Sequence, residues 1–253
     1  MATSLASADR LEAHHLRWRR AHRWIVDRVS LLVRQGEIVG LLGPNGAGKT
    51  VTLSMMAGLI RPTSGMIRIG DHDVTALSLD RRSRLGLGFL PQERSVFTKL
   101  SAYDNVAAIL EAHGARGNDL HRRATSLLER FGLSHVSSTI AMRLSGGEQR
   151  RLEVARSLAA EPRFLLFDEP FAGIDPLTIE SLHVVLDGLR ASGVGILITD
   201  HNVRETLSLC DRAYVLFGGR VLAEGTPASL IDNEAVRERF LGDTFEFVDE
   251  AAG

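Results

Sequence analysis

The chain has 253 residues, 44% hydrophobic and 24% charged, enough to bury a substantial core as one domain with an appended subdomain or as two small ones. Its net charge of −1 gives no global electrostatic case for nucleic acid or an anionic membrane, and its single cysteine, Cys210, excludes an internal disulfide and fits a reducing compartment. No apolar run approaches the roughly 20 residues of a membrane span, and no basic-then-apolar secretory pattern opens the chain, so it reads as cytoplasmic, meeting membrane only through partners.

In chain order, Arg23–Val33 (RWIVDRVSLLV) alternates like a half-exposed strand. Ile38–Leu42 (IVGLL) is apolar throughout and reads as a buried parallel strand. It runs into GPNGAGKT, Gly43–Thr50, and then into helical periodicity, the strand–loop–helix context of a phosphate-binding loop. Gly43, Gly46 and Gly48 let backbone N–H groups wrap the β- and γ-phosphates, with Pro44, Asn45 and Ala47 between them. Lys49 supplies a compact positive charge and Thr50 a hydroxyl for Mg²⁺. Of 30 basic residues only Lys49 and Lys99 are lysine, so a lysine at 49 marks a place where arginine does not serve.

Gly65–Val74 alternates again. A short apolar strand precedes Gln92 in FLPQE, from where the side chain reaches toward a metal and an attacking water. From Ser101 to Arg143 the pattern is helical, interrupted at Gly114 and Gly117, with Ser101 and Asp104 as a capping pair. This insert, roughly 95–160, separates the first and second core strands. It ends in LSGGEQRRLEVARSLAA, Leu144–Ala160, where Gly146 and Gly147 open a long helix. Such a start suits a phosphate, yet the phosphate loop lies about a hundred residues earlier.

Arg163–Phe167 and Val194–Thr199 read as two further buried parallel strands. FLLFDEP places Asp168 and Glu169 at the C-terminal end of the first, where ligands of parallel sheets collect. Asp168 suits Mg²⁺ through water, and Glu169 suits orienting or deprotonating the attacking water. His201 ends the last strand within reach of a γ-phosphate. Tyr214–Ala223 reads as a hairpin with a Gly-Gly turn, and the final DEAAG as a frayed tail. The expected fold is α/β, a mixed sheet with an antiparallel flank beside a parallel nucleotide-binding core.

GPNGAGKT, Gln92, LSGGEQ, FLLFDEP, AGIDP and His201, in this order, resemble the ATP-binding-cassette (ABC) ATPases over nearly the whole chain. The resemblance implies a single P-loop ABC ATPase domain over 1–253, with a core at approximately 1–94 and 161–253 and a helical subdomain at approximately 95–160. It implies ATP bound by Gly43 through Val51 with Mg²⁺ at Thr50, Gln92 and Asp168, and catalysis by Glu169, Gln92 and His201. It also implies a head-to-tail homodimer, in which Ser145, Gly146, Gly147 and Glu148 meet the ATP of the other copy. Asp175 in AGIDP matches the loop crossing that interface. Two membrane-spanning subunits would contact approximately 92–104, placing the chain on the cytoplasmic face of the inner membrane, with no nucleic acid.

FTKLSAYDNV, TDHNVRETLSLCDRAYVL and GTPASLIDNEAVRERFLGDTFEF look most like the ATPase subunits of bacterial lipopolysaccharide exporters. Those of branched-chain amino acid importers come next. ABC ATPases acting on nucleic acid usually carry coiled-coil or zinc-bearing insertions, and small-molecule kinases would lack LSGGE. Two positions depart from the family pattern. Val51 stands where many relatives have a second hydroxyl, leaving its backbone N–H for the α-phosphate. The adenine-stacking aromatic falls at Arg20 in RWRRAHRW, so Arg20, or Trp18 after a register shift, would stack on the base.

Overall fold

The computed structural model describes residues 9–173, 175–242 and 245. Strands β1 (Arg10–Arg20) and β2 (Arg23–Arg34) form an antiparallel hairpin. β3 (Ile38–Leu42) follows, then β4 (Ser64–Ile69) and β5 (His72–Asp73). The first sheet has the order β2-β1-β4-β5 and is antiparallel throughout. Its inward residues, among them Leu11, Leu16, Val29, Leu31 and Ile67, are buried in one cluster.

The second sheet takes β3 together with β6 (Leu87–Leu90), β7 (Phe164–Asp168), β8 (Gly195–Thr199), β9 (Arg212–Phe217) and β10 (Arg220–Gly225), in the order β10-β9-β3-β8-β7-β6. Every pair is parallel except β9–β10. Each residue of β3, β7 and β8 is buried, which requires cover on both faces. Successive side chains alternate between the two covers. Phe164 and Leu166 face the cluster shared with the first sheet, while Leu165 and Phe167 face the opposite one.

On one side lie α1 (Lys49–Ala57), directly after the phosphate loop, and the short α2 (Leu79–Ser83). On the other lie α3 (Ala102–Ala112), α4 (Gly117–Arg130), α5 (Gly146–Leu158) and α6 (Pro176–Ala191). Val106 and Leu110 of α3, Leu128 of α4 and Leu152 of α5 share one buried cluster with Phe167 and Ile198 of the sheet. The helical insert therefore packs on the sheet without an intervening polar layer. The expected cap is present: Ser101 Oγ accepts from the Asp104 N–H at 3.0 Å and starts α3. α7 (Val203–Leu209) follows β8.

Two expectations need refinement. The antiparallel flank is a sheet of its own rather than an edge of the core sheet. The glycine-turn hairpin, β9–β10, belongs half to the parallel core, because β9 pairs with β3. Strand β1 has no counterpart in the sequence reading. Its alternation is broken by irregular register between Ala13 and Leu16 and again between Leu16 and Trp18, with His15 at φ +48°. Among the described residues no helix is long and apolar enough to cross a membrane. The DEAAG tail, and most of the DTFEF stretch before it, lie outside the described residues.

Candidate functional site

Two glycines of the phosphate loop are required by its path. Gly43 has φ +143°, and a Cβ there would stand 2.2 Å from the Leu216 carbonyl oxygen of β9. Gly48 has φ +103°, and its Cβ would stand 2.8 Å from the Ile25 carbonyl oxygen of β2. The loop is thus pinched between the two sheets. Lys49 is 7% exposed and folds back, donating to the Gly43 carbonyl at 2.6 Å and the Pro44 carbonyl at 3.3 Å. Burial pushes its ammonium below the ordinary lysine range, while the charges of Glu169, Asp168 and Asp200 pull it back.

Asp168 is 4% exposed at the end of β7. Its Oδ1 accepts from Thr199 Oγ1 at 2.7 Å and, across a longer 3.4 Å, from Thr50 Oγ1. Burial raises its carboxyl pKa above the usual range, and both hydroxyls and Lys49 oppose the rise. A pocket of about 170 Å³ opens here, lined by Ile25, the run Asn45–Val51 and Glu169. Val51 also packs on the cluster beneath the first sheet, so its apolar side chain has a structural use.

Glu169 has φ +48°, a left-handed conformation that costs a non-glycine residue about 1–2 kcal/mol. Its N–H is held by the Thr199 carbonyl at 2.7 Å. This turn aims the carboxylate at two neighbours. Gln92 Nε2 donates to Oε2 at 2.8 Å, and His201 Nδ1 lies 3.5 Å from the same oxygen. Three residues from separate loops therefore meet beside the pocket.

Asp200 is a further buried carboxylate beside the predicted site residues. It is fully buried at the end of β8, where Oδ2 accepts from the Phe171 N–H at 3.0 Å and Oδ1 from the Asn202 N–H at 2.8 Å. It joins the turn carrying Glu169 to the turn carrying His201. The available signal was an acidic residue at a parallel strand's C-terminal end, the rule that found Asp168.

Ser145 caps α5 in a reciprocal box with Glu148: Ser145 Oγ accepts from the Glu148 N–H at 3.3 Å, and Glu148 Oε2 accepts from the Ser145 N–H at 2.8 Å. A Cβ at Gly147 would stand 2.8 Å from Thr178 Oγ1, which donates to Asp175 Oδ2 at 2.7 Å. The starts of α5 and α6 are therefore neighbours. At Gly146 a Cβ would meet nothing within 4 Å, so this side of the helix start is open. None of Ser145, Gly146, Gly147 or Glu148 lines the phosphate-loop pocket of its own chain.

At the hairpin, Trp18 is half-buried against the first-sheet cluster and Arg20 is exposed near the turn. The hairpin residue lining the pocket is Ile25. In the segment 92–104, Phe97 is 45% exposed beneath the Arg156 guanidinium, 4.7 Å from its ring, beside a groove lined by Leu90, Ser95, Ile109, Glu153 and Arg156. Among the described residues no three His, Cys, Asp or Glu side chains cluster as a ready metal cage. The oxygens of Thr50, Asp168 and Gln92 are hard donors. They suit Mg²⁺, which keeps waters and takes its remaining ligands from phosphates.

A glycine-rich loop between a parallel strand and a helix, with buried carboxylates at the adjoining strand end, defines a phosphate-loop nucleotide-binding protein. An ATP-binding cassette of an ABC transporter in its ADP conformation superposes with a TM-score of 0.85, at 24% identity, covering 93% of this chain and 99% of that one. The ABC transporter family's model matches residues 26–172, and the chain belongs to that family. The chain is 49% identical over 239 residues to the lipopolysaccharide export system ATP-binding protein LptB of Acidithiobacillus ferridurans, covering 94% of this chain and 99% of that protein. To the protein of the same name from Escherichia coli strain K12 it is 48% identical over 224 residues, covering 88% and 93%. A dimeric ATP-binding cassette bound to ADP and phosphate superposes with a TM-score of 0.76 at 25% identity, covering 86% and 98%. The family resemblance read from the motifs is borne out.

Proposed function

We propose that the chain is the ATP-hydrolysing subunit of a lipopolysaccharide exporter, a homodimer on the cytoplasmic face of the inner membrane. In this reading two membrane-spanning subunits dock at approximately 92–104 and the dimer closes around two ATP molecules. The observation that supports it most is the meeting of Gln92, Glu169 and His201 beside a pocket walled by the phosphate loop. The motif at Ser145 stands outside that pocket, as a group serving a second copy would.

Lys49 leaves its two carbonyls for the β- and γ-phosphates, and the loop N–H groups wrap them. Thr50, Asp168 and Gln92 would hold Mg²⁺, which would supply positive charge against the phosphate oxygens. Glu169 orients the attacking water and accepts its proton, with Gln92 and His201 holding the carboxylate and reaching the γ-phosphate. The adenine lies against the β1–β2 hairpin beside Ile25. Arg20, exposed near the turn, or Trp18, paired with Val26, would stack on it. The helical subdomain, approximately 95–160, carries Ser145, Gly146, Gly147 and Glu148 to the other copy's γ-phosphate, and Asp175 crosses the interface beside them. An ATP molecule preferring the closed pair by about 5.5 kcal/mol moves it from 1:99 to 99:1, and hydrolysis removes that preference.

Similarity to proteins named for lipopolysaccharide export favours that substrate over branched-chain amino acids. The near-zero net charge weighs against nucleic acid. The test is purification in mild detergent together with the native membrane partners. Mg²⁺-dependent phosphate release and two membrane subunits that bind lipopolysaccharide are expected, and partners that bind an amino acid instead would overturn the substrate assignment.

A further inference from the structure

Glu153 is a buried carboxylate that takes no part in the site described above. It sits on α5 at 2% exposure, between the buried hydrophobics Leu152 and Val154. A charge in such a place is unfavourable unless hydrogen bonds and an opposite charge satisfy it. Two groups do so. Arg150, one turn earlier on α5, donates from Nη1 to Oε2 at 2.8 Å. The other group is main chain: the Ser95 N–H donates to Oε1 at 2.6 Å.

Ser95 lies three residues beyond Gln92 on the loop that leaves β6. That loop is held by three hydrogen bonds to other elements, and its Phe97 ring also lies beneath the Arg156 guanidinium of α5, at 4.7 Å. Gln92 is bonded to Glu169 of the β7 turn, Ser95 to Glu153 of α5, and the Phe97 N–H to Asn105 Oδ1 of α3 at 2.8 Å. Of the three, only Glu153 lies on the helix whose start carries Ser145, Gly146 and Gly147. Eight residues, or about 12 Å of rigid helix, separate Glu153 from Ser145.

We infer that Glu153 is a positioning residue that makes the Gln92 loop travel with α5. Seating the Ser145 end of α5 on a second copy's ATP is thereby relayed to the hydrogen bond between Gln92 and Glu169. The relay rests on the shared-site reading proposed above, and names the side chain that carries the signal between its two halves.

Glu153→Ala and Glu153→Gln in the full chain test it. Glutamine keeps an oxygen for the Ser95 N–H, whereas alanine keeps none. Both variants remove the ion pair with Arg150, and alanine also leaves a cavity, so Ser95→Pro, which keeps Glu153 and deletes only the donated N–H, is measured beside them to isolate the Ser95 bond. Glu153→Ala is expected to lower kcat about tenfold with KM for ATP within about twofold, since the phosphate loop is untouched. Glu153→Gln should recover at least about half of wild-type kcat. Amide exchange should quicken over residues 92–97 in Glu153→Ala while β3 and α1 keep their protection. Ser95→Pro should give the same kcat-selective loss, and it carries the test should Glu153→Ala be insoluble. Wild-type kcat in these variants, or a joint loss of kcat and KM that glutamine does not recover, overturns the relay. Dimerisation of a Glu169→Gln parent with ATP separates the two levels. A parent that fails to dimerise sinks the shared-site reading and the relay with it, whereas unchanged kcat on a chain whose parent dimerises sinks the relay alone.

Discussion

Gln92 and Glu169 stand 77 residues apart in the chain, yet Gln92 Nε2 donates to Glu169 Oε2 at 2.8 Å. The loop that would receive a membrane partner is thus hydrogen-bonded to the carboxylate that would activate water. A displacement of the one is felt at the other without any intermediate side chain.

Replacing Glu169 with Gln removes the proton acceptor and keeps the shape. ATP binding should persist, and phosphate release should fall by at least about a hundredfold, the usual contribution of a general base. Bound ATP then stays intact, and size exclusion with ATP should show a dimer. A monomeric variant that turns over ATP at the wild-type rate would refute the role given to Glu169.

Lys49→Ala removes a buried ammonium that already gives up favourable solvation in the nucleotide-free chain. Hydrogen bonds to charged groups contribute about 1.5–3 kcal/mol, so ATP should bind about ten- to a hundredfold more weakly. Titration with a fluorescent ATP analogue measures this, and thermal unfolding without nucleotide should show no loss of stability. Unchanged nucleotide affinity would count against the phosphate-loop assignment.

Gly146→Ala separates the two copies' interests. The open space around Gly146 means alanine meets nothing in its own chain, and alanine is the better helix former. The isolated chain should therefore be as stable as wild type or slightly more so, while ATPase activity falls because the added methyl obstructs the other copy's phosphate. Mixed with Lys49→Ala protein under subunit exchange, it should regain activity, because half of the heterodimer's sites combine an intact loop with an intact α5 start. If mixing yields no more than the mean of the two parents, the shared site is ruled out.

Asp27 ties the two sheets together. It accepts from Arg220 Nη2 at 2.6 Å and Nε at 2.9 Å, Arg17 Nε lies 2.8 Å from its other oxygen, and its N–H donates to the Gly219 carbonyl at 2.7 Å. The Arg220 bonds above all hold its carboxyl below the ordinary 3.8, with Arg17 assisting and burial opposing. A depressed carboxylate stabilises the fold above its unfolded pKa, and that contribution disappears as pH falls through the folded value. Asp27→Asn should thus be less stable than wild type at pH 7, with the difference narrowing at a strongly acid pH, below the ordinary 3.8. Urea midpoints at the two pH values check this, and a gap that persists in acid would contradict it.

How much of the site was legible depends on how local its chemistry is. The loop Gly43–Thr50 was readable because wrapping phosphates needs contiguous N–H groups, and that demand leaves its mark in adjacent residues. Asp168 and Glu169 were readable because a strand's end is marked by where its apolar run stops. Asp200 carried the same strand-end mark, but its role, like that of Glu153, was not readable. Each earns its place by a bond to a main-chain N–H far along the chain, Phe171 for the one and Ser95 for the other, and no residue type announces such a partner. Strand β1 escaped for a different reason, since its irregular register destroys the period-two signal.

The sequence by itself determined the family, the phosphate loop and the order of the main strands and helices after β1, because these rest on spacing along the chain and on which runs are apolar. Only the tertiary structure decided that the flank is a separate antiparallel sheet, that Gln92 touches Glu169, and that Gly146 faces open space beside a crowded Gly147. Those relations depend on distances between segments, which are set when two faces of one sheet are buried under different covers.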